Sequence, residues 1–238
     1  MTGNDSFGSW ELENPVVSEQ DLVTLAQFDS ASVSNAINNA SIFDPHTGYL
    51  EGDIRCCFPN LSPVCGLALT VEVSNPPEPK GYGSSYWEIW EHLERQPLPT
   101  ILVFKNIDGN PARYACFGEV MAALSQRLGA VAVITDVGVR DLNEIRSLGF
   151  QCFSQYVVPT RSNLHIEAVG RPINVAGQTI GTGDIVHADS NGVIVVPASA
   201  ASQLPSMISD VQTREQELLE YIKADEFSLA GFRKLRER

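Results

Sequence analysis

Two apolar segments near the middle of the chain, separated by a stretch with helical periodicity, constrain the fold more than any other feature. Residues 100–104 and 130–135 are short and rich in Ile, Val and Leu, which is typical of buried strands. The intervening residues 117–128 predict a helix whose apolar stripe consists of Val120, Met121, Leu124 and Leu128. Short links between such elements favour a right-handed βαβ unit with parallel strands. Ligands of these units gather at strand carboxyl ends and helix N-termini.

The flanking sequence extends this unit into a single α/β domain. Helices are predicted from residue 18, around residues 33–37 and 87–93, from Asp141 to Leu148, and beyond Pro205. Strands are predicted at residues 66–73, 150–158, 166–169, 173–175, 185–188 and 193–196. We therefore expect an N-terminal arm over residues 1–17 and one domain over residues 18–238, which includes a C-terminal helical extension over residues 198–238.

Composition excludes several classes of protein. A formal net charge of −13 would repel a phosphate backbone, and the short basic stretch at residues 233–238 is typical of a solvated helix end, so we expect no nucleic-acid binding. The apolar runs are far shorter than the roughly 20 residues that a membrane span requires. Five cysteines without a C-x-x-C pair do not indicate a disulfide framework, and a reducing cytoplasm fits them best.

The first candidate site residues stand where the central helix begins. Gly118 would let a ligand approach the backbone closely, and the amides of Val120 and Met121 would lack partners within the helix. A carboxylate or phosphate could bind there. Alternatively, Gly118 and Glu119 merely start the helix, where the helix dipole favours an acidic residue.

A second charged group, formed by Asp136, Arg140 and Asp141, follows the next strand. We expect it at the same edge as the helix N-terminus, because the carboxyl ends of parallel strands lie together. Structural alternatives exist: Asp141 and Glu144 match a capping box, and Arg140 could form a salt bridge with Asp136. Neither alternative explains why these charges should face Gly118 and Glu119.

The combined pattern is Gly-Glu, twenty residues, Arg-Asp, two residues and Glu. It resembles the aldolases for 4-hydroxy-4-methyl-2-oxoglutarate and 4-carboxy-4-hydroxy-2-oxoadipate, together with the related RraA-like regulators of ribonuclease E. The likeness extends to the Ser-rich residues 30–36, the Gly-Leu-Ala-Leu-Thr-Val strand at 66–71, and the Gly-Asp-Ile-Val to Val-Val-Pro segment at 183–197. It covers about residues 20 to 200.

The resemblance implies a layered β/β/α domain of the swivelling phosphohistidine-domain type, assembled into trimers or pairs of trimers. It also implies a class II aldolase in which Asp141 holds Mg²⁺ or Mn²⁺ and Glu119 anchors metal-bound waters. The carboxylate of a small 2-oxo acid substrate would bind the amides of Val120 and Met121, and Arg140 would face its 2-oxo oxygen. Cleavage would release pyruvate, and oxaloacetate decarboxylation would be a side activity.

Some positions depart from the family pattern. Glu119 stands where the aldolases usually have Asp, Val137 where Gly is common, and Asn35 where Asp is usual. The base that deprotonates the 4-hydroxyl is either a water relayed through Glu119 or a carboxylate of a neighbouring subunit. No lysine is expected near this edge to support a Schiff-base mechanism.

Further residues are candidates only for a secondary role. Trp87, Trp90, Arg161 and His165 are possible contacts for the C4 substituent of the substrate. The four histidines, His46, His92, His165 and His187, are interpreted as structural.

The competing hypothesis is a non-enzymatic RraA-like regulator that binds a basic ribonuclease scaffold through its acidic surface. The aldolases that the chain resembles have an acidic residue at the position of Glu119, so the resemblance favours the enzyme.

Overall fold

The computed structural model describes residues 17–42 and 47–237. The helices are α1 (Glu19–Leu25), α2 (Ser30–Asn39), α3 (Ser85–Arg95), α4 (Glu119–Arg127), α5 (Leu142–Ser147), α6 (Leu204–Lys223) and α7 (Leu229–Arg236). The strands are β1 (Arg55–Cys56), β2 (Val64–Ser74), β3 (Thr100–Asp108), β4 (Ala115–Phe117), β5 (Ala130–Val139), β6 (Gln151–Val157), β7 (His165–Val169), β8 (Ile173–Val175), β9 (Gln178–Ile180), β10 (Ile185–Asp189) and β11 (Gly192–Val196). Of the predicted N-terminal arm only Val17 is described, and it is buried.

In the described part of the chain, nine strands form one mixed sheet in the order β1-β6-β5-β3-β2-β10-β11, with β4 paired to β5 and β7 paired to β2. The neighbours β2, β3, β5 and β6 run parallel. Strands β1, β7, β10 and β11 pair antiparallel. The fold is therefore mixed α/β, and the predicted parallel pairing of the strands that flank the central helix is confirmed.

The central strands are buried on both faces, which explains their almost continuous apolar sequences. One face packs against α3, α4 and α5 through residues such as Leu102, Phe104 and Val133. The alternate residues Val103 and Ile134 belong to a second cluster on the other face, together with apolar residues of β8, β9, β10 and β11. A third cluster joins α1, α2 and α6 to the outer side of β10 and β11. The central strands can therefore hold residues rigidly at their carboxyl ends.

Several sequence predictions differ from the structure in detail. The helix predicted over residues 117–128 begins only at Glu119, because Phe117 ends the short strand β4, which had not been predicted. The predicted C-terminal helical segment divides into α6 and α7. On the predicted helix at 87–93, Trp90 is buried, whereas Trp87 is 65% exposed.

Two predictions from composition can be compared with the structure. No helix among the described residues is long and apolar enough to cross a membrane. All five cysteines are free thiols in the structure.

His187 on β10 is buried with only one of its ring nitrogens hydrogen-bonded among the described residues. Its Nε2–H donates to the backbone carbonyls of Leu25 and Phe28, both at 3.1 Å, while Nδ1 is buried without a hydrogen-bond partner among the described residues. Burial lowers the pKa of His187 below its ordinary value. A proton on Nδ1 would have no acceptor. The neutral ring is therefore the form that the fold stabilises.

This arrangement predicts that the free energy of unfolding falls as the pH drops below about 6.5, the pKa in the unfolded chain. Stability is complete above that pH and is lost by up to ~1.4 kcal/mol per pH unit until the lower, folded pKa is reached. Urea unfolding between pH 7 and 5 should show a smaller pH dependence in His187→Gln than in wild type. The control His165→Gln should keep the wild-type slope. Equal slopes in all three proteins would contradict the prediction.

Candidate active site

Two short parallel strands bring the predicted site residues together. In β4 and β5, Ala115 pairs with Gly138 and Phe117 with Val139, so both strands end at the same level. The residues that follow them, Gly118 and Arg140, are consequently neighbours. The backbone N–H of Arg140 donates to the carbonyl of Phe117 at 3.1 Å, which fixes the start of the 140–141 segment beside the end of β4.

Gly118 is required for space and not for backbone conformation. Its φ of −155° is accessible to any residue. A Cβ atom at this position, however, would lie 2.7 Å from Asp141 Oδ2 and 3.1 Å from Arg140 Nε. The glycine thus lets the charged side chains of Arg140 and Asp141 lie directly against the start of α4.

Asp141 turns its carboxylate towards α4 and away from its own helix. Its backbone is left-handed, with φ 57° and ψ 42°, and its side chain caps nothing in α5. Instead, Oδ2 accepts the backbone N–H of Glu119 at 3.2 Å, and Oδ1 lies 3.5 Å from Arg140 Nη1. The predicted capping box with Glu144 is therefore wrong, because the left-handed backbone directs the carboxylate to another helix.

The N-terminus of α4 keeps two amides for a ligand. Its first internal hydrogen bond joins the Ala122 N–H to the Gly118 carbonyl at 2.9 Å, so the amides of Val120 and Met121 precede the helical ladder. The Val120 side chain is 75% exposed, which corrects its assignment to the buried stripe and leaves this end of the helix open. Glu119 is exposed beside it in the first turn. An anionic group could bind here.

One interpretation of the sequence was a salt bridge between Arg140 and Asp136, but Asp136 has other partners. Its Oδ2 lies 2.6 Å from Lys105 Nζ, and its Oδ1 accepts the backbone N–H of Asn106 at 2.8 Å. This amide needs an acceptor because β3 pairs with β5 only as far as Phe104 and Thr135. Asp136 is mostly buried and has a structural role at the point where the two strands separate.

Lys105 corrects the expectation that no lysine lies near this edge. Lys105 directly follows the apolar run 100–104 of β3. A charged residue at this point of a strand is the signal by which the sequence could have identified it. Its Nζ lies 2.6 Å from Asp136 Oδ2, so the nitrogen is engaged in an ion pair. A Schiff-base mechanism requires the free amine, so this lysine gives that mechanism no support.

The residues at the site fit a hydrated hard cation. No group of three or more His, Cys, Asp or Glu side chains in the described ranges is arranged to hold a metal. Mg²⁺ is commonly bound by one or two carboxylates and several waters, in contrast to the closed ligand sets of structural zinc. Asp141, about one quarter exposed, and Glu119, exposed beside it, offer this kind of donor set.

The other candidate residues belong to an aromatic cluster on and beside α3. Arg161 Nη1 lies 2.7 Å from the Tyr82 hydroxyl, and His165 Nδ1 lies 2.9 Å from the Gly81 carbonyl. Trp90, on α3, is buried in the core. His92 and His187 are also buried, which agrees with a structural role, whereas His46 lies outside the described residues.

These features define a class: a mixed α/β chain with an arginine and an aspartate at the end of one strand, facing the N-terminus of a helix. The sequence pattern of the RraA-like family, described as Aldolase/RraA, matches residues 30–195. The chain belongs to this family.

Two curated relatives illustrate its range. The protein DlpA of Legionella pneumophila is 23% identical over 202 residues, which are 83% of this chain and 31% of that protein. A putative 4-hydroxy-4-methyl-2-oxoglutarate aldolase of Halalkalibacterium halodurans is 25% identical over 135 residues, which are 56% of this chain and 60% of that protein. The matched regions thus span less than two thirds of the length of either relative.

Solved structures support the fold. An uncharacterized protein from Pseudomonas syringae pv. tomato has a TM-score of 0.72 and 20% identity, covering 93% of this chain and 94% of that one. RraAS2 of Streptomyces coelicolor, described as an unusual member of the RNase ES inhibitor RraA family, has a TM-score of 0.68 and 23% identity, covering 87% and 99%. At these identities the likeness concerns the fold.

Proposed function

We propose that the protein is a divalent-metal-dependent class II aldolase that cleaves a 4-hydroxy-2-oxo acid into pyruvate and a second oxo acid. The observation that supports this most directly is the orientation of Asp141. Its carboxylate lies at the N-terminus of α4 and beside Arg140. A carboxylate with only a capping role would instead have accepted a hydrogen bond from an amide of its own helix, α5. An acid, a guanidinium and free amides then converge on one small region.

Each residue has a defined role in the proposed reaction. The carboxylate of the 2-oxo acid accepts hydrogen bonds from the amides of Val120 and Met121. Asp141 would hold Mg²⁺ or Mn²⁺, with Glu119 binding through water, and the bound ion would supply Lewis-acid polarisation of the 2-oxo group. The 4-hydroxyl gives its proton to the base, either a water relayed through Glu119 or a carboxylate of a neighbouring subunit, and C4 becomes a carbonyl. The electron pair of the broken C3–C4 bond moves towards the 2-oxo oxygen. Arg140 stabilises the negative charge that develops there.

Loss of CO₂ from oxaloacetate develops the same charge on the same oxygen, so decarboxylation is the simplest assay. We expect the protein to release pyruvate from oxaloacetate with Mg²⁺ or Mn²⁺ and to lose this activity with a chelator. Arg140→Ala should reduce the metal-dependent rate by about 10²- to 10³-fold, because the guanidinium that faces the developing charge is removed. Coupled detection of pyruvate measures both effects.

The control for this assay is Arg146→Ala, which removes an exposed arginine from the last turn of α5 and should leave the rate unchanged. If wild type releases no pyruvate above the metal-only background, or if Arg140→Ala retains full activity, the aldolase proposal fails. The alternative would then be a non-enzymatic regulator that binds a basic ribonuclease scaffold, for which the net charge of −13 is suitable.

We further propose a homo-oligomer, trimeric or hexameric, as the working form. Apolar side chains near the C-terminus support an interface there, since Leu219, Ile222, Phe227 and Leu229 are between 45% and 73% exposed. Residues 18–238 would act as one catalytic domain of the swivelling phosphohistidine type. The cytoplasm is the proposed location, with neither nucleic acid nor membrane as partner.

A further inference from the structure

Two cysteines lie opposite each other at the edge of the large sheet. The antiparallel register of β1 and β6 pairs Arg55 with Ser154 and Cys56 with Phe153. The next pair in this register is Cys57 and Cys152, and the Cys57 N–H donates to the Cys152 carbonyl at 2.8 Å. Directly opposed residues of antiparallel strands have Cα atoms about 4.5–5.5 Å apart, within the range of about 4.4–6.8 Å that disulfides span.

The two thiols differ in accessibility and in acidity. Cys57 is partly exposed, whereas Cys152 is fully buried. Interaction with the Cys152 thiol lowers the pKa of Cys57, and interaction with Cys57 raises the pKa of Cys152. Thiolate character and access determine which cysteine reacts with an oxidant. Both properties favour Cys57.

The adjacent Cys56 is distinct from this pair. It belongs to the apolar cluster on the opposite face of the sheet, and its thiol lies 3.7 Å from Gln151 Oε1. Burial raises the pKa of Cys56. Burial also raises the pKa of Cys65 and of Cys116, each to about 12. None of these three cysteines combines access with a thiol on the opposing strand.

We propose that Cys57 and Cys152 form a peroxide-reactive dithiol, with Cys57 as the attacking and Cys152 as the resolving residue. The Cys57 thiolate attacks one oxygen of a hydroperoxide and breaks the O–O bond, giving a sulfenic acid and an alcohol or water. The Cys152 sulfur, after losing its proton, then attacks the Cys57 sulfur and displaces its oxygen as water. The two thiols are oxidised to one disulfide and the peroxide is reduced.

The test uses the full chain, hydrogen peroxide as the oxidant, and peptide mapping after the remaining thiols are alkylated. We expect a reductant-sensitive link between the peptides that carry Cys57 and Cys152, and the same link in the matched control Cys56→Ser. Cys57→Ser should lower the initial rate of thiol loss by about tenfold or more. In Cys152→Ser, a sulfenic-acid reagent should label Cys57.

Several outcomes would overturn the proposal. One is a link that disappears in Cys56→Ser but persists in Cys57→Ser. Another is the absence of any intramolecular link in wild type under conditions that oxidise a free small-molecule thiol. Peptide mapping of the wild-type protein alone tests the second outcome, so that test does not depend on whether Cys152→Ser folds.

Discussion

Asp141→Asn is expected to reduce metal-dependent pyruvate release by on the order of 10³-fold while leaving the fold intact. The substitution removes the negative charge that would hold the cation next to Arg140. Asparagine tolerates the left-handed backbone of this position, and its side-chain oxygen can still accept the Glu119 N–H. Steady-state kinetics and thermal unfolding together measure both parts of the expectation.

Asp184→Asn is the matched control for this experiment. Asp184 also accepts a backbone N–H through its carboxylate, that of Gly181 at 2.8 Å, but it belongs to the turn before β10. Its variant should keep the wild-type rate. If Asp141→Asn retains more than about one tenth of the activity at saturating metal, the charge of Asp141 is not central and its role is structural.

The general position of the site could be predicted from the sequence because it depends on strong, simple patterns. Two short apolar strands around a helix specify parallel pairing, and parallel strands place their following residues at one edge. Gly118 and Arg140 therefore lie together, as expected: a Cβ atom added at Gly118 would lie 3.1 Å from Arg140 Nε. Topology thus predicted that these two residues lie together, although the strand that positions Gly118, β4, was not predicted.

The orientation of Asp141 could not be predicted in the same way. Asp-Leu-Asn-Glu matches a capping box, which is a rule about local sequence. The observed left-handed backbone instead lets the carboxylate bind Glu119 N–H, a donor 22 residues away in the chain. A tertiary partner decided between two local conformations, and no local pattern contains that partner.

The strand β4 escaped prediction for a related reason. It has three residues, Ala115–Phe117, too few to show a period, and it exists because it pairs with β5 beyond the point where β3 leaves. Its presence moves the helix start to Glu119. The stripe of α4 then buries Ala122 and Ser125 and leaves Val120 in solvent.

Gly118→Ala is expected to lower kcat/KM by about 10²-fold, although it adds only one methyl group. The new Cβ would approach Asp141 Oδ2 to 2.7 Å and Arg140 Nε to 3.1 Å, so both charged side chains must move away from the start of α4. The backbone conformation suits alanine, and the loss of stability should stay below about 1 kcal/mol. Activity should therefore fall much more than stability.

Gly52→Ala is the control, because a Cβ there would meet no atom within 4 Å. It should leave the kinetics unchanged. Nearly wild-type activity in Gly118→Ala would mean that the close approach of these side chains to α4 is not needed for catalysis.

Combining Gly118→Ala with Asp141→Asn separates two explanations of the glycine effect. If the methyl group acts by displacing the Asp141 carboxylate, it should lower kcat/KM little further in the Asp141→Asn background, and the two effects will not add. If it acts by blocking the substrate carboxylate from the amides of Val120 and Met121, the effects should multiply and KM should rise. A strongly sub-additive cycle would place the function of Gly118 in positioning Asp141, which the distance of 2.7 Å predicts.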